Sequence, residues 1–173
     1  MNLVLIGFRG CGKTTLGRMA AAGLGVEFVD TDEMIEAGEG KEIVSIFEEQ
    51  GEEAFRRMET GVLASLEGGP QGIVAVGGGA PCSEENRALI SSLGKVVWLK
   101  ASPRVVVERL RHDPRPPLTS LPLEQEVKTL MAGRREHYAG AADYTVETDG
   151  RSKKEVASEL EHLWRSVQDH DVR

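Results

Sequence analysis

Cysteine is scarce in this chain, positive charge is outnumbered and long apolar runs are missing. Its two cysteines, Cys11 and Cys82, cannot build the disulfide framework of a small secreted domain. Lysine and arginine total 21 against 28 acidic residues, a net charge of -7. That balance excludes the broad positive field with which nucleic-acid binders draw phosphate backbones. Any arginines that serve an anion must therefore be concentrated at one place. No apolar segment approaches the roughly 20 residues of a membrane helix. The first residues carry no basic region ahead of a short apolar run, so no signal peptide is expected. His112, His137, His162 and His170 show no metal-ligand or triad spacing and read as surface residues. There are no internal repeats. What remains is an ordinary globular composition, 40% hydrophobic and 28% charged over 173 residues, which suits one domain with a full core. A cytoplasmic protein is the expectation, and nothing in the sequence demands an oligomer.

The informative stretch is Gly7-Phe8-Arg9-Gly10-Cys11-Gly12-Lys13-Thr14-Thr15. It follows the apolar run 3–6 and leads into a predicted helix over 13–24. In that context Gly-x-x-x-x-Gly-Lys-Ser/Thr is a phosphate-binding loop. Gly7, Gly10 and Gly12 let the backbone curl so that successive N–H groups point inward, and Cys11 is small filler within the loop. The inward N–H groups and the positive end of the helix hold phosphate oxygens. Lys13 reaches the β- and γ-phosphates, and the Thr14 hydroxyl can ligate Mg²⁺. This predicts a nucleoside-triphosphate site.

Downstream, the apolar run 26–29 ends in Asp30-Thr31-Asp32, acidic residues where open α/β sheets place their chemistry. A helical piece over 33–37 is expected to break at Gly38 and Gly40, with a second beginning near Glu42. Gly51 interrupts it and a helix resumes over 52–66. At about 100° per residue, Phe55, Met58, Val62 and Leu66 share one side. Glu59 falls within that apolar face, Arg56 lies on its edge and Arg57 points the opposite way. Arg56 and Glu59 can pair three residues apart. Two readings stay open, an internal brace or an arginine oriented for a ligand. A third strand, 73–76, runs into Gly77-Gly78-Gly79, where a ligand can approach bare backbone N–H groups. Ser83 caps a helix to Leu93, residues 95–100 make a fourth strand, and Ser102-Pro103 start another helix.

Residues 112–123 hold four of the seven prolines, with Arg115 in their middle. Such density excludes helix and central strand. The segment is either a plain surface connection or a lid over the phosphate site, and Leu118 and Leu121 suit a cover. A helix over 123–138 carries Arg134 and Arg135, residues 144–148 form the fifth strand, and Ser152 to Glu155 match a capping box. Alternating strands and helices predict an α/β fold, a parallel sheet with helices on both faces, in one domain over residues 1–173. Two inserts, about 32–59 and 112–123, are the expected movable parts.

A GTPase would need a guanine-specifying Asn-Lys-x-Asp run, which is absent. An ATPase motor needs an acidic second motif, and here the comparable strand ends in glycines. A small kinase remains, whose second site offers one carboxylate for a hydroxyl, arginines for an anion and backbone donors. Those groups suit a small hydroxylated acid better than a nucleotide base. Another small-metabolite kinase, such as a gluconate kinase, and a non-catalytic nucleotide-binding regulator are the rival readings.

The ordered set of phosphate loop, Asp30-Thr31-Asp32, Gly51-Glu52, Phe55-Arg56-Arg57-Met58-Glu59, Gly77-Gly78-Gly79-Ala80, Arg115-Pro116 and Arg134 with Tyr138 resembles the shikimate kinase family. The resemblance covers nearly the whole chain. It implies a three-layer phosphate-loop kinase fold with sheet order 2-3-1-4-5, with ATP and Mg²⁺ as cofactors. It implies transfer of the ATP γ-phosphoryl group to the 3-hydroxyl of shikimate, a step toward aromatic amino acids. By that likeness Asp32 is the candidate base, Lys13 and Arg115 neutralise the transferring group, and Thr14 and Asp30 hold hydrated Mg²⁺. Gly10, Cys11, Gly12, Lys13, Thr14 and Thr15 hold the phosphates. Arg109, Arg115 and Arg151 complete the nucleotide site, Arg109 and Arg151 flanking adenine. Arg56 and Arg134 clasp the acceptor's carboxylate, and Gly77, Gly78 and Gly79 line the acceptor pocket beside Asp32. Two departures stand out. Pro117 replaces the leucine usual after Arg-Pro in the lid, and the Arg109-to-Arg115 spacing is about one residue short.

Overall fold

β-Branched apolar runs with no polar face can be buried only where helices cover both sides of a sheet. In the computed structural model, which describes residues 1–69, 71–113 and 117–171, Asn2–Ile6 and Gly72–Ala75 are such runs, and they join three further strands in a five-stranded parallel sheet. β1 spans Asn2–Ile6, β2 Glu27–Asp30, β3 Gly72–Ala75, β4 Gly94–Lys100 and β5 Tyr144–Glu147. Their order is β2-β3-β1-β4-β5, as the resemblance implies. Leu3, Val4, Leu5 and Ile6 are all fully buried, so β1 is the centre of the core. Asn2 starts it with a buried amide that the sequence did not single out. Its Nδ2 donates to Leu93 O at 3.1 Å and its Oδ1 accepts from Gly72 N at 2.8 Å. One polar side chain thus satisfies backbone groups on two neighbouring elements.

Among the described residues seven helices connect and cover the sheet: α1 Lys13–Leu24, α2 Thr31–Glu39, α3 Ile43–Ser65, α4 Glu84–Leu93, α5 Pro103–Leu110, α6 Leu123–Ala141 and α7 Lys153–Asp171. A 3-10 turn, Ala80–Cys82, follows the triple glycine. Capping behaves as the sequence predicts. Ser83 accepts from Asn86 N, Ser102 from Val105 N, and Ser152 and Glu155 bond reciprocally.

Gly38 does not break α2, against expectation. The helix runs through it and stops at Gly40, whose φ of 64° closes the last turn. A glycine inside a helix costs about 1 kcal/mol relative to alanine, which packing can absorb. Gly51 does interrupt α3, at φ 81° and ψ 171°. The two limbs fold back on α2 around a small second cluster of Ile35, Ile46 and Phe55. That cluster gives residues 32–59 apolar packing of their own.

Candidate active site

The carboxyl ends of β1, β2 and β3 open on the same edge of the sheet, the edge at which open α/β folds bind ligands. Gly7, Gly10 and Gly12 have φ of 144°, 79° and 105°, all disfavoured for residues with a Cβ. At Gly7 space is also decisive, since a Cβ would lie 2.5 Å from Leu99 O. The loop therefore curls tightly around buried Cys11 and hands the chain to α1. Lys13 Nζ donates back to Gly7 O at 2.8 Å and Phe8 O at 3.3 Å. The resulting cavity of about 510 Å³ is lined by residues 9–16 with Asp30, Asp32, Gly78, Arg109 and Arg151.

At its inner end, Thr14 Oγ1 donates to Asp30 Oδ2 at 2.7 Å. Asp30 Oδ1 accepts the Asp32 N–H at 3.0 Å, which makes Asp30 the N-cap of α2. One carboxylate thus fixes both the hydroxyl behind the phosphate loop and the backbone that carries Asp32. The buried Thr31 hydroxyl accepts from Gly77 N at 3.0 Å and locks the start of α2 to the triple glycine.

Side chains press on Gly77 and Gly79, and the backbone of the phosphate loop presses on Gly78. A Cβ on Gly77 would lie 2.6 Å from Asp32 Oδ1 and 2.7 Å from Glu59 Oε1. On Gly78 it would meet Arg9 N and Gly7 O, both at 3.3 Å, and on Gly79 it would lie 2.5 Å from Arg56 Nη1. Tyr138 Oη donates to Gly78 O at 2.7 Å and Arg134 Nη1 to the same oxygen at 3.2 Å. Glycine is required here because the space a side chain would fill already belongs to the site.

Arg56 Nη1 donates to Glu59 Oε2 at 2.5 Å, while Arg56 Nη2 bonds Glu52 Oε1 at 3.0 Å. Burial raises the Glu59 carboxyl above its ordinary value, with Arg56 and Arg134 pulling the other way. Burial of the Tyr138 phenol pushes it up and keeps it a neutral donor. Arg56, Arg134, Gly79, Thr60 and Asn86 line a second cavity of about 620 Å³. Arg57, expected to point the opposite way, pairs in solvent with Glu53 at 2.8 Å, yet both also border this second cavity.

Arg109 Nη1 donates to Gly10 O and Cys11 O at 3.0 and 3.1 Å, so it braces the phosphate loop as well as lining the cavity. Arg151 lines the same cavity, held by Glu147 O and Glu159. Arg115 lies outside the described residues. His137 departs from the surface reading. It is half-buried, with Nδ1 3.3 Å from Arg87 Nη1, whose guanidinium also binds the carbonyls of Pro81 and Cys82.

Two site residues escaped the sequence reading. Arg9 occupies an unspecified position of the loop motif, yet it lines the phosphate cavity. Glu126 on α6 is fully buried, 3.9 Å from Arg9. A signal for it existed, because Leu123, Glu126, Val127 and Leu130 follow the same helical spacing that exposed Glu59.

A phosphate loop closing on a Thr–Asp pair, with a second carboxylate and two arginines at the adjacent strand end, defines a phosphate-loop kinase acting on a small molecule. Its particular family follows from comparison. The family profile for shikimate kinase matches residues 9–164, so the chain belongs to the shikimate kinase family. The shikimate kinase of Symbiobacterium thermophilum is 42% identical over 163 residues, 92% of this chain and 94% of that protein. That of Neisseria meningitidis serogroup C is 43% identical over 166 residues, 95% and 96% of the two chains. The shikimate kinase of Acinetobacter baumannii, solved in complex with shikimate, superposes with a TM-score of 0.88 at 37% identity, over 95% of this chain and 93% of that one. A gluconokinase from Sinorhizobium meliloti reaches a TM-score of 0.60 at 16% identity, which reflects the shared fold alone.

Proposed function

We infer that this chain transfers the γ-phosphoryl group of ATP to the 3-hydroxyl of shikimate, giving shikimate 3-phosphate and ADP. The observation that supports it most is the convergence at Gly77–Gly79. There the carboxylate facing the phosphate cavity, Asp32, stands beside an arginine pair suited to a carboxylate. An acceptor carrying a hydroxyl at one end and a carboxylate at the other fits both at once.

In this reading Arg56 and Arg134 clasp the carboxylate and so aim one ring hydroxyl at Asp32. Asp32 accepts the hydroxyl proton as the acceptor's hydroxyl oxygen bonds the γ-phosphorus. The bridging P–O bond to the β-phosphate breaks, and ADP leaves. Lys13 and the loop N–H groups take up the charge spread over the phosphoryl oxygens, a positioning role that needs no covalent help. Arg115 comes down with the lid, 112–123, onto the same group, and residues 32–59 form the acceptor-binding insert. Arg109 and Arg151 flank the base.

Thr14 and Asp30 fit a hydrated Mg²⁺, because a hydroxyl and one carboxylate facing a phosphate cavity are what such an ion takes from protein. No cluster of three ligating side chains exists among the described residues, in keeping with an ion held mainly by water and phosphate. When bound, Mg²⁺ supplies positive charge to the β- and γ-phosphates. No helix among the described residues is long and apolar enough to cross a membrane. Cytoplasmic ATP and the two free thiols suit a cytoplasmic enzyme, and we read it as a monomer.

A coupled ADP-release assay with shikimate, quinate, gluconate and AMP tests the assignment. Shikimate should turn over fastest. Faster turnover of AMP or gluconate overturns it, and ATP binding without turnover of any acceptor points to a regulator.

A further inference from the structure

Glu126 has no part in the chemistry above, yet it is a completely buried carboxylate on α6. Burying a charge is costly unless it is paired and hydrogen-bonded, so such a group is kept for what it holds. Its two oxygens face different parts of the molecule. Oε2 accepts from Thr119 N at 2.6 Å and Thr119 Oγ1 at 3.0 Å. The same hydroxyl then accepts from Leu121 N at 3.2 Å, so the turn at 119–121 is organised around the carboxylate. Oε1 makes no hydrogen bond among the described residues and lies 3.9 Å from Arg9 Nη2. At that distance the contact is charge attraction and not a hydrogen bond. Arg9 in turn lines the phosphate cavity, and its backbone N–H abuts Gly78.

We propose that Glu126 is a positioning residue that couples the 117–122 segment to Arg9, so that an anion in the phosphate loop orders Thr119. A carboxylate held by two Thr119 bonds on one oxygen cannot swing toward Arg9 without moving the segment. An anion that draws the Arg9 guanidinium weakens its pull on Oε1 and leaves the carboxylate to Thr119. A single buried charge therefore makes the position of Arg9 and the order of residues 117–122 one equilibrium. The coupling rests on the nucleotide reading of the phosphate loop, though not on which acceptor is phosphorylated.

The test is amide hydrogen exchange at Thr119 in the full chain, with and without the Mg²⁺ complex of the β,γ-imido analogue of ATP. In the wild type, saturating nucleotide should slow exchange about 10-fold, within the usual range of coupling between sites. Glu126→Gln keeps an oxygen for Thr119 but removes the charge that senses Arg9. Its nucleotide-free exchange should stay near wild type while the nucleotide effect shrinks to less than about 2-fold. Thr119→Val, on the half-exposed segment, leaves the core intact and keeps the test available should the first variant not fold. It should reduce the effect to about 3-fold. In kinetics, Glu126→Gln should lower kcat about 10-fold and leave the acceptor KM within about 2-fold, as for a lost orientation. A purely structural Glu126 would lower the melting temperature and speed exchange equally with and without nucleotide. An undiminished nucleotide effect in both variants overturns the coupling. Failure of the wild type to bind the analogue by calorimetry overturns the nucleotide reading as well.

Discussion

Arg56 and Glu59 sit one turn apart on α3, joined by a 2.5 Å bond, yet the arginine side chain is 36% exposed and the glutamate 2%. The pair spans the boundary between the second cavity and the core. The two readings left open by the sequence, brace and ligand-orienting arginine, are therefore compatible in one residue: Glu59 holds Arg56 Nη1 from the core, Glu52 holds Nη2 from solvent, and the guanidinium between them borders the cavity.

Arg56→Ala should raise the acceptor KM by an amount worth at least about 2 kcal/mol, as when a charge pair loses one member. Arg57, next in sequence, also borders the cavity but is mostly exposed and paired with Glu53, so Arg57→Ala should change binding and stability by less than about 0.5 kcal/mol. Steady-state kinetics and urea unfolding of the two variants check this. Equal effects would contradict the assignment of roles to the two faces of α3.

Gly79→Ala isolates position from charge. Gly79 has φ -92°, which alanine adopts freely, so the backbone is not strained. The new Cβ would lie 2.5 Å from Arg56 Nη1, the flexible end of a side chain that must move. The acceptor KM should rise about 10-fold with stability within about 1 kcal/mol of wild type. A rise in the ATP KM alone would place Arg56 on the wrong substrate.

Asp32→Asn keeps shape and removes the proton acceptor. The expected fall in kcat is roughly 10²–10⁴, with nucleotide affinity by calorimetry nearly unchanged. Near-normal turnover would sink the base assignment.

For Arg115→Ala, kcat should drop about 10²–10³, below the full arginine-finger range because Lys13 and Mg²⁺ act on the same charge. Single-turnover rates separate this from slow release. An unchanged kcat with a large rise in the ATP KM would mean that the arginine serves only nucleotide binding.

Asp143 offers a pH test far from the site. Its Oδ1 accepts from Lys95 Nζ and its Oδ2 from Val96 N, both at 2.8 Å, at the start of the β4–β5 pairing. Partial burial pushes the carboxyl up, but the Lys95 and Val96 bonds outweigh it and hold it below its ordinary value. A depressed folded value means stability that is present above the unfolded carboxyl pKa, about 3.9, and lost as pH falls through the folded one. Asp143→Asn should cost about 1 kcal/mol at pH 7 in urea unfolding. The gap should begin to narrow as pH falls below the unfolded value of about 3.9 and shrink further as pH falls through the lower folded one. A gap independent of pH would show that the charge is irrelevant.

The strand-helix alternation, the curled phosphate loop and the interruption at Gly51 were all legible in the sequence. Each depends on short-range facts: period, missing Cβ atoms and caps that bond within three residues. Helical phase alone separated Arg56 from Arg57 and placed Glu59 inside. The sequence could not show that Gly77, Gly78 and Gly79 answer respectively to Asp32 with Glu59, to the phosphate loop, and to Arg56. It could not show that Arg9 meets Glu126 from the far side of the chain. Nor could it show that Asn2 staples β3 and the end of α4, or that Gly38 lies within a continuing helix. Those depend on which elements become neighbours, and a parallel sheet with crossovers brings together residues dozens of positions apart. Local chemistry decides what each segment can be, and only tertiary packing decides which charges must share a buried space.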